Sequence, residues 1–337
     1  MASETMLMNA LQLVRPRTFT AVPVPVPSLR SSEPGRMIIR TAWASMCGSD
    51  VAFFAGNKRL RSYPLPAGAP IHECVGQVVE SGCEQFRPGD WAVAMPDGDL
   101  GLAEFFVAQG ARAVGLPAEL ADCDACCLIQ PLSTVINAVD RLGEVEGRAV
   151  AVVGLGSMGL LLCWLLQKRG AAPILGIDPV QDRCRVAERL GVTRAWPLRS
   201  IELVHASRQG ASGWEAPEIC IEAVGHQMDT LNDCFELVRK RGTVVAFGVP
   251  DHAQYTIEYE IFFRKNLHLV AVVTPEWGEY LAKARDLLLA HYTELQPLIT
   301  HRFRIRDAGQ AFGIYESHSD GVLKVSLDGS GWGAEAG

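Results

Sequence analysis

The chain of 337 residues has no concentration of positive charge. It carries 31 Lys and Arg against 38 Asp and Glu, a formal net charge of −7, with no basic cluster longer than a few residues. That argues against a nucleic-acid partner, because holding phosphates needs a concentrated basic face. It lacks internal repeats and low-complexity tracts, which removes repeat arrays and disordered linkers. The opening MASETMLMNALQLVRPRTF lacks the basic start, apolar stretch and small-residue cleavage site of a secretory signal. Cysteine is not scarce, at ten residues, but most sit in apolar runs (Cys163, Cys184, Cys220, Cys234). Free cysteine packs as a small hydrophobe, and a chain this long needs no disulfide framework. A reducing, cytoplasmic setting is expected. One run, AVAVVGLGSMGLLLCWLL at 149–166, is uncharged and long enough to span a bilayer. Its β-branched start, glycine middle and leucine end predict instead a buried strand, a tight turn and a buried helix, so no membrane association is expected.

What is present is 48% hydrophobic residues, enough for one large or two medium domains with real cores. The first third is β-rich: MIIRTAWASMC, CVGQVVE, DWAVAMP and AEFFVA are short strand candidates between Gly, Pro and Asp turns. Pro23, Pro25 and Pro27 predict an edge or connector near the start. LPAELADCDACCLIQPLSTVINAVDRLG reads as helix with a break at Pro131. After residue 148 strands and helices alternate, beginning with AVAVVG and ending with TVVAFGV and LHLVAVV. Continuous apolar strands alternating with helices predict a parallel sheet covered on both faces, and six strands match the doubly wound dinucleotide fold. The tail resumes with an amphipathic helix, EYLAKARDLLLAHY, then strand, helix, strand.

The cofactor motif is GLGSMG, spanning Gly154, Gly156, Ser157, Met158 and Gly159. Alone, G-x-G-x-x-G is a weak signal; following a strand and opening a helix is the context it requires. Gly154 allows the tight turn, Gly156 lets a pyrophosphate approach the backbone, and Gly159 lets helix and strand pack closely. The free N–H groups of the helix start attract the phosphate. Asp178, at the end of the next strand in GIDPVQDR, stands where an acidic side chain takes the ribose hydroxyls. The plain alternative is that it only opens an Asp-Pro turn. A carboxylate there repels a 2′-phosphate, which favours NAD over NADP, while nearby Arg183 pulls the other way.

A second signal is the triplet His72-Glu73-Cys74, three potential metal ligands at the entrance of strand CVGQVVE. Taken alone it is ordinary strand chemistry. Its neighbours change the reading. MCGSDVAFFAG (46–56), R-P-G-D (87–90), CCLIQPLSTVINA (126–138) and E-A-V-G (222–225) accompany it in order. Together these motifs resemble the zinc-dependent medium-chain alcohol and polyol dehydrogenases over nearly the whole chain, and most closely the sorbitol, threonine and sugar dehydrogenase branch.

The resemblance implies an α/β chain with a GroES-like β-barrel catalytic domain, 1–133 and 275–337, and a Rossmann domain, 134–274, with nicotinamide, zinc and substrate in the cleft between them. It implies one catalytic zinc. Cys47 matches the first ligand and His72 the second. Glu73 matches a glutamate that ligates zinc or moves on and off it. Gln130 falls where the third protein ligand or its water-holding glutamate belongs. Asp50 matches the carboxylate that orients the histidine, and Ser49 the hydroxyl that starts a proton relay. Arg183 matches a position flanking the adenosine, Gly248 and Val249 residues near the nicotinamide ribose, and Val273 and Thr274 backbone contacts to the carboxamide. The implied activity is hydride transfer between NAD(H) and a secondary alcohol or ketone, a polyol, sugar or cyclitol, in a homodimer or homotetramer.

Three departures bear on this. Gln130 replaces the usual Glu or Cys, a neutral amide that ligates zinc poorly. Ala52 stands where a histidine commonly ends the relay. The four-cysteine lobe of a structural zinc is missing, so no structural zinc is expected; C-D-A-C-C at 123–127 has no second C-x-x-C and is read as core packing. Two other functions stay open: an NAD(H)-binding protein without turnover, and a zinc-free NADPH-dependent reductase, a class that lacks the Cys and His ligands.

Overall fold

A computed structural model describes residues 6–29, 34–57, 62–211, 213–273 and 275–333. In chain order, β1 (Leu7–Arg15), β2 (Thr18–Pro25) and β3 (Arg36–Ser45) precede the short helix α1 (Gly48–Ala55). β4 (Glu73–Ser81), β5 (Trp91–Pro96) and β6 (Phe105–Gly115) lead to two 3-10 turns, Ala118–Leu120 and Asp124–Leu128, and then to α2 (Ile129–Leu142). The alternating stretch is β7 (Val150–Val153), α3 (Ser157–Lys168), β8 (Ile174–Ile177), α4 (Gln181–Arg189), β9 (Arg194–Trp196), α5 (Ser200–Arg208), β10 (Ile219–Glu222), α6 (Asp229–Leu237), β11 (Thr243–Ala246), α7 (Tyr259–Lys265) and β12 (His268–Ala271). The tail holds α8 (Trp277–Ala290), α9 (Tyr292–Leu295), β13 (Ile299–Arg304), α10 (Ala308–Ser317) and β14 (Lys324–Asp328). The chain divides into two compact units, Met1–Ser133 with Glu276–Gly337, and Thr134–Pro275.

In the first unit β3 pairs with β4, β4 with β5, β5 with β6, and β6 back onto β3, so the four strands close on themselves as a small barrel. Closure removes the exposed edges that an open sheet would present. β14 adds antiparallel to the other end of β3, and β13 lies beside β14. The N-terminal hairpin β1–β2 carries Pro23 and Pro25 on β2, which bonds to β1 alone, an edge position where a missing N–H is harmless. The core gathers Leu13, Met37, Ile39, Met46, Ile71, Cys74, Leu102, Phe312 and Val325.

The second unit is a six-stranded parallel sheet in the order β12-β11-β10-β7-β8-β9. Strands β7, β8 and β10 are buried at every position, as expected for a sheet covered on both faces. The order reverses between β7 and β10, the switch point where ligands lie outside the strands' carboxyl ends in such sheets. The apparent membrane-length run is β7, a turn and α3, and among the described residues no helix is long and apolar enough to cross a membrane.

The expected helix break at Pro131 is a correction. Pro131 lies inside the first turn of α2, where the N–H it lacks would have no helical partner. The residues before it form 3-10 turns rather than helix.

Candidate active site

The two strands β3 and β4 run antiparallel with Ser45 opposite Glu73 and Ala44 opposite Cys74. Cys47 follows β3 by two residues and caps the N-terminus of α1; His72 immediately precedes β4. The pairing therefore brings together residues 25 positions apart, and one ligand atom each from Cys47, His72 and Glu73 lies within 4.8 Å of the others. Cys74 does not join them. Successive strand residues point to opposite faces. Its side chain is buried in the core, and burial, with Cys127 and Glu73 nearby, holds its thiol well above the usual range.

Asp50, on the first turn of α1 and 1% exposed, clamps two of the three. The Cys47 backbone N–H donates to its Oδ2 at 2.8 Å, and His72 Nδ1 lies 3.2 Å from its Oδ1. This fixes both ligand-bearing loops and turns the other ring nitrogen of His72, Nε2, away from Asp50. Burial pushes the Asp50 carboxyl above its ordinary value, against the pull of His72 and the Cys47 N–H. Burial also drags the His72 imidazolium down, but the Asp50 carboxylate and Cys47 outweigh it, so its proton is held well above the usual histidine range.

Glu73 has both oxygens buried, with unequal surroundings. Oε2 accepts the Ser45 hydroxyl and faces Lys324 Nζ at 2.5 Å; Lys324 and Glu73 are both 0% exposed. Among the described residues Oε1 has no hydrogen-bond partner. The pair follows from the sheet: β14 places Ser326 opposite Ser45, so Lys324, two residues earlier, shares the face of Ser45 and Glu73 across three adjacent strands. Burial opposes the charge on Lys324, yet the Glu73 carboxylate, with Tyr315 and Cys47, raises its ammonium above the ordinary lysine value.

A metal fits these residues. The donors are a thiol, an imidazole whose orientation is fixed by a carboxylate, and a buried carboxylate oxygen that lacks any other partner. Gln130 is 5% exposed on the first turn of α2, and its backbone carbonyl accepts the Ser133 hydroxyl at 2.6 Å. Ser49 is half-buried on α1. Phe54 is core, stacked between Phe19 and Phe312.

In the second unit, Gly154 adopts φ 94°, and a Cβ there would press on Val224 and the Ala223 backbone. A Cβ on Gly159 would collide with the Gly154 carbonyl oxygen, so strand and helix touch as closely as the motif requires. A Cβ on Gly156 would meet nothing within 4 Å; the backbone there borders open space at the start of α3, the room an anionic ligand needs. Ser157 and Met158 form that first turn, Ser157 buried. Asp178 reaches the same loop: Leu155 N–H donates to its Oδ2 and Val180 N–H to its Oδ1, both at 2.8 Å. Its Asp-Pro turn is thus real, and the carboxylate also ties the glycine loop to β8. Arg183 Nη1 lies 3.6 Å from Asp178 Oδ2.

Glu222, unassigned by sequence reasoning, is the organiser of the neighbouring loop. Its Oε1 accepts the N–H groups of Val224 and Gly225 and the Thr230 hydroxyl at 2.9–3.0 Å. Gly248 packs so closely on Gly225 and Glu222 that no side chain fits. Val224, Val249 and Val273 stand 39%, 41% and 60% exposed beyond the carboxyl ends of their strands. Thr274 lies outside the described residues.

Comparisons with known proteins agree with both halves. Residues 33–129 match the alcohol dehydrogenase GroES-like domain, and residues 157–289 match the zinc-binding dehydrogenase domain. The chain is 25% identical over 305 residues to an L-threonine 3-dehydrogenase of Caldanaerobacter subterraneus subsp. tengcongensis, covering 81% of this chain and 86% of that protein. It is 24% identical to a D-xylulose reductase of Saccharomyces cerevisiae over 95% of this chain and 98% of the relative. Among solved structures, the alcohol dehydrogenase TADH from Thermus sp. ATN1 superimposes with a TM-score of 0.81 at 24% identity, covering 95% of this chain and 99% of the other. Galactitol-1-phosphate dehydrogenase from Escherichia coli gives 0.80 at 19% identity, covering 95% and 100%.

Proposed function

Because the chain belongs to the zinc-dependent medium-chain dehydrogenase superfamily and is an alcohol dehydrogenase-type oxidoreductase, we propose that it moves a hydride between NAD(H) and a secondary alcohol or ketone of the polyol, sugar or cyclitol class. The observation that carries this is the convergence of Cys47, His72 and the unpartnered Glu73 Oε1, held from behind by Asp50 and Lys324.

In this reading Cys47, His72 Nε2 and Glu73 Oε1 would hold one zinc, with Gln130 as the candidate for a further ligand. When bound, zinc would supply Lewis acidity at the substrate oxygen and the nicotinamide the hydride acceptor. Asp50 keeps a proton on His72 Nδ1 and so presents Nε2 as the ligand. Lys324 and Ser45 hold one oxygen of Glu73 and leave the other free. Ser49, on the turn that follows Cys47, takes the substrate hydroxyl's proton, which then passes on without the histidine that Ala52 replaces. Backbone N–H groups around Gly156 bind the pyrophosphate. Asp178 supports NAD over NADP, since its charge is set against a 2′-phosphate and its contact with Arg183 occupies the cation that would receive one. The polyol class is supported by the xylulose reductase relative. Pairing with a second copy is supported by β12, an edge strand that leaves Leu269 41% exposed.

The test is NADH formation by tag-free, zinc-supplied protein across a panel of polyols, sugars and cyclitols, with Cys47→Ala beside it. At least one substrate should turn over, and the variant should lose about two orders of magnitude or more. Equal turnover in Cys47→Ala would defeat the metal assignment. The Ala52 and Gln130 departures favour one other reading, a dinucleotide-binding protein without turnover. Tight NADH binding with no reaction across the panel would establish it.

A further inference from the structure

In the C-D-A-C-C segment Cys127 borders Glu73 and Lys324, whereas Cys123 and Cys126 take no part in the site just described, and these two thiols are unequal. Cys123 caps the 3-10 turn Asp124–Leu128 and is half-buried, whereas Cys126, one turn later, is fully buried. The Cys126 backbone N–H bonds the Cys123 carbonyl at 3.1 Å, which closes the turn. Cys123 Sγ lies 3.5 Å from the Tyr292 hydroxyl, and the Cys126 thiol donates to the Leu120 carbonyl at 3.4 Å. A turn closed by the backbone i to i+3 bond brings its end Cα atoms within about 7 Å, the reach of a disulfide.

The remaining described thiols do not offer this arrangement. Cys47 faces His72 and Glu73. Cys83 is half-buried, and its sulfur packs against Gly110. Cys220 and Cys234 are both fully buried.

We infer that Cys123 and Cys126 form a redox-reactive dithiol, which a hydroperoxide converts to an intrachain disulfide. The Cys123 thiolate attacks one peroxide oxygen. The O–O bond breaks, leaving Cys123 as a sulfenic acid and releasing hydroxide or alkoxide. The Cys126 sulfur then attacks the Cys123 sulfur. The S–S bond forms, the S–O bond breaks, and the expelled hydroxide leaves as water with the Cys126 proton. The two sulfurs lose two electrons, and the peroxide gains them. Its interaction with the Cys126 thiol draws the Cys123 thiol down to about 6 despite burial, with further help from the Tyr292 hydroxyl. Cys126 is pushed far up by its interaction with Cys123 and by burial. Cys123 is therefore the attacking sulfur and Cys126 the resolving one.

The thiolate advantage has a definite size. At pH 6 a thiol near 6 is ~150-fold more ionised than an ordinary thiol near 8.5, while its lower basicity weakens it as a nucleophile ~13-fold, leaving roughly a tenfold net gain. At pH 7 the same arithmetic leaves only about twofold, so the experiment belongs at pH 6.

The native full-length chain, zinc-supplied, is treated at pH 6 with limiting hydrogen peroxide, quenched with an alkylating agent and peptide-mapped by mass. The expected result is a peptide 2 Da lighter, with Cys123 and Cys126 joined, while Cys220 and Cys234 stay reduced. In Cys126→Ser, Cys123 should stop at a sulfenic acid that dimedone traps; in Cys123→Ser the oxidation of Cys126 should slow about tenfold or more. The wild-type map stands alone if either variant fails to fold. Oxidation of Cys83 ahead of Cys123, over-oxidation of Cys123 with no linked product, or linkage of Cys220 to Cys234 in the folded protein would each overturn the inference.

Discussion

Replacing Lys324 by Met tests how Glu73 is held. In the native protein the ammonium and the carboxylate face each other at 2.5 Å with neither exposed to solvent, so no screening reduces their interaction. Removing the cation leaves a buried carboxylate with the Ser45 hydroxyl as its partner. Breaking a buried pair from one side costs about 3–5 kcal/mol, most of it from the stranded charge. At about 2–4 °C per kcal/mol, the melting transition of the unit that carries the pair should fall by roughly 6–20 °C. Adding Glu73→Gln removes the stranded charge, and the double variant should recover most of the loss, because replacing both partners of a buried pair is often close to neutral. The cycle is run on chelated protein, so that a bound metal cannot substitute for the lysine, with urea and thermal unfolding as the readouts. A Lys324→Met cost below about 1 kcal/mol, or two single effects that simply add, would refute the claim that Lys324 neutralises Glu73. The same single variant, zinc-supplied, should hold zinc more tightly, since Glu73 then has the metal as its best remaining cation.

Other consequences are measurable. Alkylation of Cys123 should rise with pH through about 6 and level off above 7, because the reactive thiolate is the deprotonated form; its facing groups are Cys126, Tyr292 and Asp124, the last paired with Arg302. A midpoint near 8.5 would mean that the interactions with Cys126 and Tyr292 do not hold in solution. Asp178→Ala should weaken NAD binding by about tenfold, through loss of the bonds that tie down the glycine loop, and shift preference toward NADP; titration by tryptophan fluorescence reads both. Gly159→Ala should abolish dinucleotide binding and destabilise the second unit, since its methyl would overlap the Gly154 carbonyl oxygen; retained NADH affinity would contradict the packing argument.

The parts legible in the sequence were those set by local pattern. Buried strands such as Val150–Val153 read as uninterrupted apolar runs, and the glycines at 154, 156 and 159 announce a turn wherever a strand feeds a helix. Lys324 was not legible, because its partner stands 251 positions away and becomes a neighbour through the strand order β14-β3-β4. A lysine inside the apolar run VLKVSL was the one available signal. Ser45 and Glu222 escaped for the same reason: each acts through a register or a loop closure that exists only once the sheet has formed. Helix α7 is hard to read from the sequence because its seven residues show too little periodicity to separate from the adjoining loop. Pro131 misled because proline signals a break in mid-helix and a start in the first turn, and only the fold says which applies.

The account depends most on the metal. The direct measurement is the zinc content of the tag-free protein by plasma mass spectrometry, with X-ray absorption at the zinc edge, for wild type and Cys47→Ser. The account predicts about one zinc per chain, with a sulfur neighbour near 2.3 Å that the variant loses. A zinc-supplied wild-type protein that retains no metal would contradict it, and would leave Cys47, His72 and Glu73 as a cluster with no chemistry to perform.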